Sequence, residues 1–410
     1  VFLLHMKLNM NLPKKMLVTL LFSTPLASCD DSASSSAGES FSSGVDDNSS
    51  NQTAFDEAGV ISGLIENVFN PANDSFEQQT AALITAVQNY CTDIEQNNDS
   101  SASLTSAQDA WRNTMNAWQQ IEVMQVGPLL SNDGNLRNTI YSWPTTSQCA
   151  VDQDVGLYEQ SQNGGDDYDI SRRTNSRKGL DAAEYLLFNS DLTHSCPTDS
   201  LAPDGWNDRP DIEKQLARCE FALEVATDLN NSATTLKNQW IEDDGFASDL
   251  QQAGQDDSQF DDTHSAINHI TDAMFYVDSI TKDLKLASPI GLAANSCGNA
   301  SCLDDVESLF AENTVANVKH NLIALQSLFL GAPTGTEGVG FDDYLIFEQH
   351  QELVDTMTAD IQAAINAANA FEGTMSDAVT TYPERVQELH AAVKTVTDNL
   401  KSMFITYLSL

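Results

Sequence analysis

"SAQDAWRNTMNAWQQIEVM", residues 106–124, indicates a helical fold, because its apolar side chains recur every three or four residues. Trp111, Met115 and Trp118 share one face at this spacing, which is typical of an amphipathic α-helix. Ser106 precedes the repeat and is a suitable N-cap, so we expect the helix to start there.

Stretches on both sides of this helix have the same period. Residues 76–94 form one apolar stripe, and the segment after Pro383 alternates steps of three and four residues, as in a helical bundle. Alternating segments rich in Val, Ile and Thr are scarce, which disfavours a large sheet. The sequence therefore predicts an all-α fold. The stripe after Pro383 comprises Val386, Leu389, Val393, Val396, Leu400, Met403 and Tyr407.

The first 29 residues are typical of an export signal, with lysines before the apolar run "MLVTLLFSTPLA" at residues 16–27. The run leads to "LASC", which resembles a bacterial lipobox, so we expect Cys29 to be lipidated and to tether the protein to a membrane. Residues 30–53 are rich in Ser and Asp and predict a flexible, disordered tether. The predicted location is the bacterial cell envelope: the periplasmic face of either membrane, or the cell surface.

A short internal repeat indicates how the remaining chain is organised. "GLDAAEYLLF" at residues 179–188 aligns without gaps with "GVGFDDYLIF" at residues 338–347. Together with the chain length, this favours two related helical bundles, which we place at residues 54–245 and 246–410.

Charge and cysteine content narrow the function classes. The formal net charge of −41 is unfavourable for binding nucleic acid. Apart from Cys29 there are six cysteines, an even number that predicts disulfides in an exported protein. Proximity in sequence suggests the pairs Cys91–Cys149, Cys196–Cys219 and Cys297–Cys302.

Four blocks resemble the imelysin-like proteins, which are exported or lipid-anchored bacterial proteins, often iron-regulated, grouped by name with an insulin-cleaving metallopeptidase. The blocks are "AWRNTMNAWQQIEVMQVGPL" (110–129), "TIYSWPTTSQCAVD" (139–152), "GLDAAEYLLF" (179–188) and "GFDDYLIF" (340–347). The resemblance implies two four-helix bundles with a functional site near their junction.

The family signature is Gly-x-His-x-x-Glu, and this chain departs from it at one position. Gly179 and Glu184 match, but Asp181 replaces the histidine, so a hard oxygen ligand replaces a nitrogen. Asp181 and Glu184 share one helix face, where their charges repel unless something relieves them. Three explanations are open: a shared metal ion, pairing with the basic cluster Arg172, Arg173, Arg177 and Lys178, or exposure to water at the helix start.

Glu122 is a further candidate ligand, since it lies where the stripe of its helix would otherwise be apolar and could point into the same bundle, although an exposed helix acid is an equal alternative. The segment "DDTHSAINHI" and the acids Asp342 and Asp343 are weaker candidates. No histidine is followed by Glu, or has Glu three residues later, so the ligands of an ordinary zinc peptidase are missing.

We therefore expect a non-catalytic component of iron acquisition that binds iron, another divalent cation or another ligand. Its partners would be the membrane, through the lipid, and an envelope iron-uptake protein. The alternatives are an atypical metallopeptidase and a surface module that binds another envelope protein.

Overall fold

The computed structural model describes residues 55–197 and 201–401, and in these ranges it contains helices and no strand. The predicted all-α class is confirmed. The export signal, Cys29, the tether, Met403 and Tyr407 lie outside the described residues. Across the described part of the chain, no helix has the length and apolar character needed to span a bilayer.

Fourteen α-helices and two π-helical segments, Ile65–Phe69 and Val277–Ala287, make up most of the described fold. The α-helices are α1 (Glu57–Leu64), α2 (Asn70–Glu95), α3 (Ser101–Val123), α4 (Ser131–Ile140), α5 (Gln148–Gln162), α6 (Gly179–Phe188), α7 (Asp211–Ile241), α8 (Phe246–Gln251), α9 (Thr263–Met274), α10 (Thr314–Leu330), α11 (Phe341–Phe347), α12 (Gln351–Ala370), α13 (Met375–Thr381) and α14 (Pro383–Asn399).

The apolar stripes are buried as their spacing predicts. Trp111, Met115 and Trp118 of α3 are fully buried. However, α3 begins at Ser101, so the predicted start at Ser106 is wrong. The carboxylate of Asp99 accepts the N–H group of Ser101 at 3.0 Å, whereas the Ser106 hydroxyl donates to a carbonyl within the helix.

Within the described residues, the buried apolar side chains form two hydrophobic cores. The amino-terminal core is built mainly from α2, α3, α6 and α7. The carboxy-terminal core takes most of its residues from positions 240–400, but α1 and the π-helical turn after it also belong to it. The internal duplication and the predicted boundary after residue 245 stay predictions.

The disulfides correct two of the three predicted pairs. Cys91 bonds to Cys219 and Cys149 bonds to Cys196, while the predicted Cys297–Cys302 bond is present. Cys91 and Cys219 meet because α2 and α7 pack side by side along their length. Proximity in sequence fails here because helix pairing brings together residues that are 128 positions apart.

Peptide mapping of the unreduced protein should therefore recover one peptide that joins α2 to α7 through Cys91 and Cys219. Replacing both of these cysteines with serine should lower the free energy of unfolding by about 2–4 kcal/mol, since the bond closes a long loop in the unfolded chain. Urea unfolding monitored by circular dichroism measures the change. A peptide that joins Cys91 to Cys149 would contradict this connectivity.

Candidate functional site

Helix α6 carries the signature residues and lies inside the amino-terminal core, with every residue from Gly179 to Leu187 buried. Helix α3 fixes it through two side chains. The indole N–H of Trp111 donates to the carbonyl of Leu180 at 2.9 Å, and Gln108 donates to the carbonyl of Leu187 at 2.9 Å. The position of Asp181 and Glu184 is therefore set by the packing of α6 against α3.

Gly179, the first residue of the signature, is required by the backbone. Its φ of +79° lies in the left-handed region that favours glycine. A Cβ atom there would also come within 2.6 Å of the carbonyl oxygens of Thr139 and Ile140. The glycine thus allows α6 to start directly against the end of α4.

Gly179→Ala should lower the free energy of unfolding by about 2–3 kcal/mol, because left-handed strain and a backbone clash add together. Gly164→Ala is the matched control. Gly164 also has positive φ, at +89°, but a Cβ there would meet nothing within 4 Å. The control should cost only about 1 kcal/mol in a urea titration. Equal costs for the two variants would exclude the clash.

Asp181 is buried and holds the loop that follows α4. Its Oδ2 atom accepts the backbone N–H groups of Ser142 at 2.8 Å and Trp143 at 3.1 Å. Burial raises the pKa of Asp181 to about 7; the N–H of Ser142 and the hydroxyl of Thr146 lower it, and the charge of Glu307 raises it.

Glu184, one helical turn later, makes the equivalent contact with a different loop. Its Oε1 atom accepts the backbone N–H groups of Phe310 and Ala311, both at 2.9 Å. Burial raises the pKa of Glu184 to about 8, opposed by the N–H of Ala311 and reinforced by the neighbouring charge of Asp181. Two backbone N–H groups therefore stabilise each carboxylate, and the raised pKa values favour the protonated, uncharged forms. Both effects relieve the repulsion between the two acids.

Two of the three explanations for the acid pair are thereby wrong. Both side chains are buried, so they do not face water. The basic cluster also binds elsewhere: Arg173 and Arg177 pair with Asp154, at 2.6 and 2.7 Å. Lys178 lies 3.5 Å from Asp228. These partners lie on α5 and α7, so the spacing of residues within the basic cluster does not predict them.

Glu122 points inward and meets a buried lysine. Its Oε2 atom lies 2.8 Å from the ammonium nitrogen of Lys285, which also lies 2.9 Å from Oε1 of Glu307. The hydroxyl of Tyr141 donates to the same Glu307 oxygen at 2.7 Å. Burial alone would lower the pKa of Lys285, but the charges of Glu122 and Glu307 outweigh it and raise that pKa.

These groups form a polar centre, defined here as Glu122, Asp181, Glu184, Lys285 and Glu307 with their hydrogen-bond partners. It lies where the two hydrophobic cores meet. On α3, Ile121 belongs to the amino-terminal core and Val123 to the carboxy-terminal core. On the loop that carries Glu307, Val306 belongs to the carboxy-terminal core and Ala311 to the amino-terminal core.

Sequence reasoning missed Lys285 and Glu307. Lys285 lies between two leucines in a π-helical segment, a weak sign that its side chain is buried. Glu307 lies in an irregular loop, where an acidic residue is ordinarily exposed to solvent. Lys285 and its partner Glu122 are 163 positions apart along the chain. No local sequence pattern therefore indicates their contact.

The polar centre does not fit a resident iron ion held by Asp181, Glu184 and Glu122. One oxygen of each of the first two acids is occupied by a pair of backbone N–H groups, and Glu122 is bound by an ammonium group. In the described ranges no three His, Cys, Asp or Glu side chains converge as metal ligands would.

The weaker candidates are separated from this centre and from each other. Asp262 caps α9, and Asp261 beside it is exposed. His264 contacts Glu57 at 2.9 Å, whereas His269 packs against the rings of Phe246 and Phe260. These residues stabilise the start of α9 and its packing.

The second repeat does not reproduce the acid pair. Asp343, which aligns with Glu184, accepts the N–H of Gly340 at 3.0 Å and so caps its own helix. Burial raises the pKa of the neighbouring Asp342 to about 6, and the charge of Asp343 adds to the effect.

Comparison with known proteins gives concordant matches. A family model described as Imelysin matches residues 71–403. The "Iron-regulated protein A" of Synechococcus elongatus is 22% identical over 313 residues, covering 75% of this chain and 74% of that protein. The crystal structure of an imelysin-like protein from Psychrobacter arcticum superposes with a TM-score of 0.64 at 17% identity, covering 86% of this chain and 96% of that one.

Proposed function

The chain belongs to the imelysin family, and from that premise we propose that it is a lipid-anchored envelope protein that serves iron acquisition by binding another envelope protein, without catalysing a reaction. The closed polar centre is the observation that carries this proposal. The link to iron is supported by the name of the cyanobacterial relative, an iron-regulated protein.

The organisation of the amino-terminal sequence supports attachment by lipid. A lipidated Cys29 would attach the chain to the membrane, and the Ser- and Asp-rich residues 30–53 would link it to the helical body. A tethered body can reach a membrane-embedded partner without spanning the bilayer itself. This arrangement suits a protein that acts by association.

The geometry of the acids favours binding over catalysis. A hydrolytic centre keeps a position open to water and substrate, and its general base must reach the substrate. Asp181 and Glu184 instead accept pairs of backbone N–H groups, and both are less than a tenth exposed. In the proposal these acids hold the loops at Ser142 and Phe310 in place, and the partner binds to the outer surface.

Iron uptake in cells tests the proposal. In a strain that lacks the protein, the wild-type chain and the Asp181→Asn/Glu184→Gln variant should restore uptake of labelled iron equally. Cys29→Ser should restore much less, because it removes the lipid. Crosslinking in the same cells should recover an iron-uptake protein with both active chains.

Two results would contradict the proposal. One is stoichiometric iron in the purified wild-type protein that is lost in Asp181→Asn/Glu184→Gln, as measured by elemental analysis. The other is chelator-sensitive cleavage of an unfolded protein substrate by the wild type and not by that variant, which would support the atypical metallopeptidase.

A further inference from the structure

The ammonium group of Lys285 is enclosed by side-chain oxygens from three separate parts of the chain. It lies 2.8 Å from Glu122, 2.9 Å from Glu307 and 3.1 Å from the Oδ1 atom of Asn321, and it also donates to Oε1 of Gln119. We propose that these oxygens form a site for a hard divalent cation such as Ca²⁺, which the Lys285 ammonium fills and closes to metal ions.

The site contains more oxygen than an ammonium group can use. A lysine has three N–H donors, yet four side-chain oxygens surround this one. A fifth, Oε2 of Glu307, is buried and has no hydrogen-bond partner among the described residues. Burying this unpartnered Glu307 oxygen is costly when an ammonium group fills the site, whereas Ca²⁺ binds six to eight oxygens.

Other donors hold the oxygens in place independently of the lysine. The hydroxyl of Tyr141 donates to Glu307, and the hydroxyl of Thr281 donates to Oδ1 of Asn321 at 2.9 Å. Asn321 in turn donates to Oε1 of Gln119 at 3.0 Å. Outer hydrogen bonds of this kind orient metal ligands, so the oxygens should remain convergent when the ammonium group is removed.

Size and charge favour a large divalent ion. The oxygens are about 3 Å from the nitrogen, and Ca²⁺ needs a contraction to about 2.4 Å, smaller than the contraction needed for Mg²⁺. Glu122 and Glu307 supply two carboxylates, which match a charge of two. Neither Asp181 nor Glu184 is needed, so the inference is independent of the family signature.

Calcium titration of the full chain tests the inference. Lys285→Ala should bind Ca²⁺ at least about tenfold more tightly than the wild type, a difference readily resolved by calorimetry. Lys394→Ala removes an exposed lysine that pairs with Asp398, so it changes the net charge equally and should gain nothing. Lys285→Ala/Glu307→Gln should lose the gain. Equal Ca²⁺ affinity in Lys285→Ala and the wild type would overturn the inference.

Refolding provides a second test if Lys285→Ala does not fold without the ion. Lys285→Asn offers a further amide oxygen in place of the ammonium group. For each variant, Ca²⁺ should increase the helical signal recovered after dilution from urea, compared with Na⁺ at equal ionic strength. Recovery that is the same in Ca²⁺ and Na⁺ for both variants would also overturn the inference.

Discussion

Asp181→Asn with Glu184→Gln is expected to raise the free energy of unfolding above that of the wild type at about pH 8, and to leave it nearly unchanged below about pH 4. The amide oxygens of the new side chains can still accept the backbone N–H groups of Ser142, Trp143 and the loop at Phe310. An amide also cannot ionise, so the variant avoids a buried negative charge.

The direction of this change in the free energy of unfolding follows from the raised pKa values of the two acids. In the folded protein the pKa of Asp181 is about 7 and that of Glu184 is about 8, both above the values of an exposed acid. The folded chain therefore retains protons that the unfolded chain has released. The stabilisation from these protons is complete below about pH 4 and is lost as the pH rises through about 7 and 8.

Between these limits each acid should lower the free energy of unfolding by about 1.4 kcal/mol per pH unit. Urea titrations from about pH 5 to 8 would measure the slope for the wild type and the variant. Groups that do not interact with the two acids titrate equally in both chains, so the difference in slope reports on Asp181, Glu184 and the neighbouring Glu307. Asp99→Asn, at an exposed acid, should leave the wild-type slope unchanged. Parallel slopes for the wild type and the double variant would show that the acids are ionised in the folded state.

The helices could be predicted from sequence because their signal is local. The stripe of Trp111, Met115 and Trp118 is repeated within four residues and is buried as expected. The predicted start of α3 at Ser106 is wrong because serine is compatible with both a cap and a helix interior. The start at Ser101 is identifiable only from the structure, in which Asp99 accepts the N–H group of Ser101.

The site could be predicted only in part, because its contacts are not local. The spacing of Asp181 and Glu184 indicates a shared face, but their partners are backbone N–H groups, which are present at every residue except proline and leave no mark in a sequence. The Cys91–Cys219 bond and the Lys285–Glu307 contact likewise depend on which helices pack together. Periodicity predicts that a face is buried without predicting what covers it.

A second large effect is expected at Arg218, which is only 2% exposed and binds the equally buried Asp152. Arg218→Met should lower the free energy of unfolding by about 3–5 kcal/mol, because it leaves a buried carboxylate without its counter-ion. Arg172→Met, at an exposed arginine of the basic cluster, is the control and should change it by less than about 1 kcal/mol.

The remaining contacts of Asp152 provide a sharper version of this prediction. Its Oδ2 atom also accepts the backbone N–H of Ser195 at 2.7 Å and the hydroxyl of Tyr185 at 2.8 Å, contacts that an amide oxygen can keep. Arg218→Met/Asp152→Asn should therefore be about 1–2 kcal/mol more stable than Arg218→Met alone, since the unpaired charge is gone. Urea unfolding of the wild type, Arg218→Met, Asp152→Asn and the double variant gives the coupling energy between the two residues. If the second substitution destabilises Arg218→Met further, the loss arises from packing of the arginine side chain and not from the charge left on Asp152.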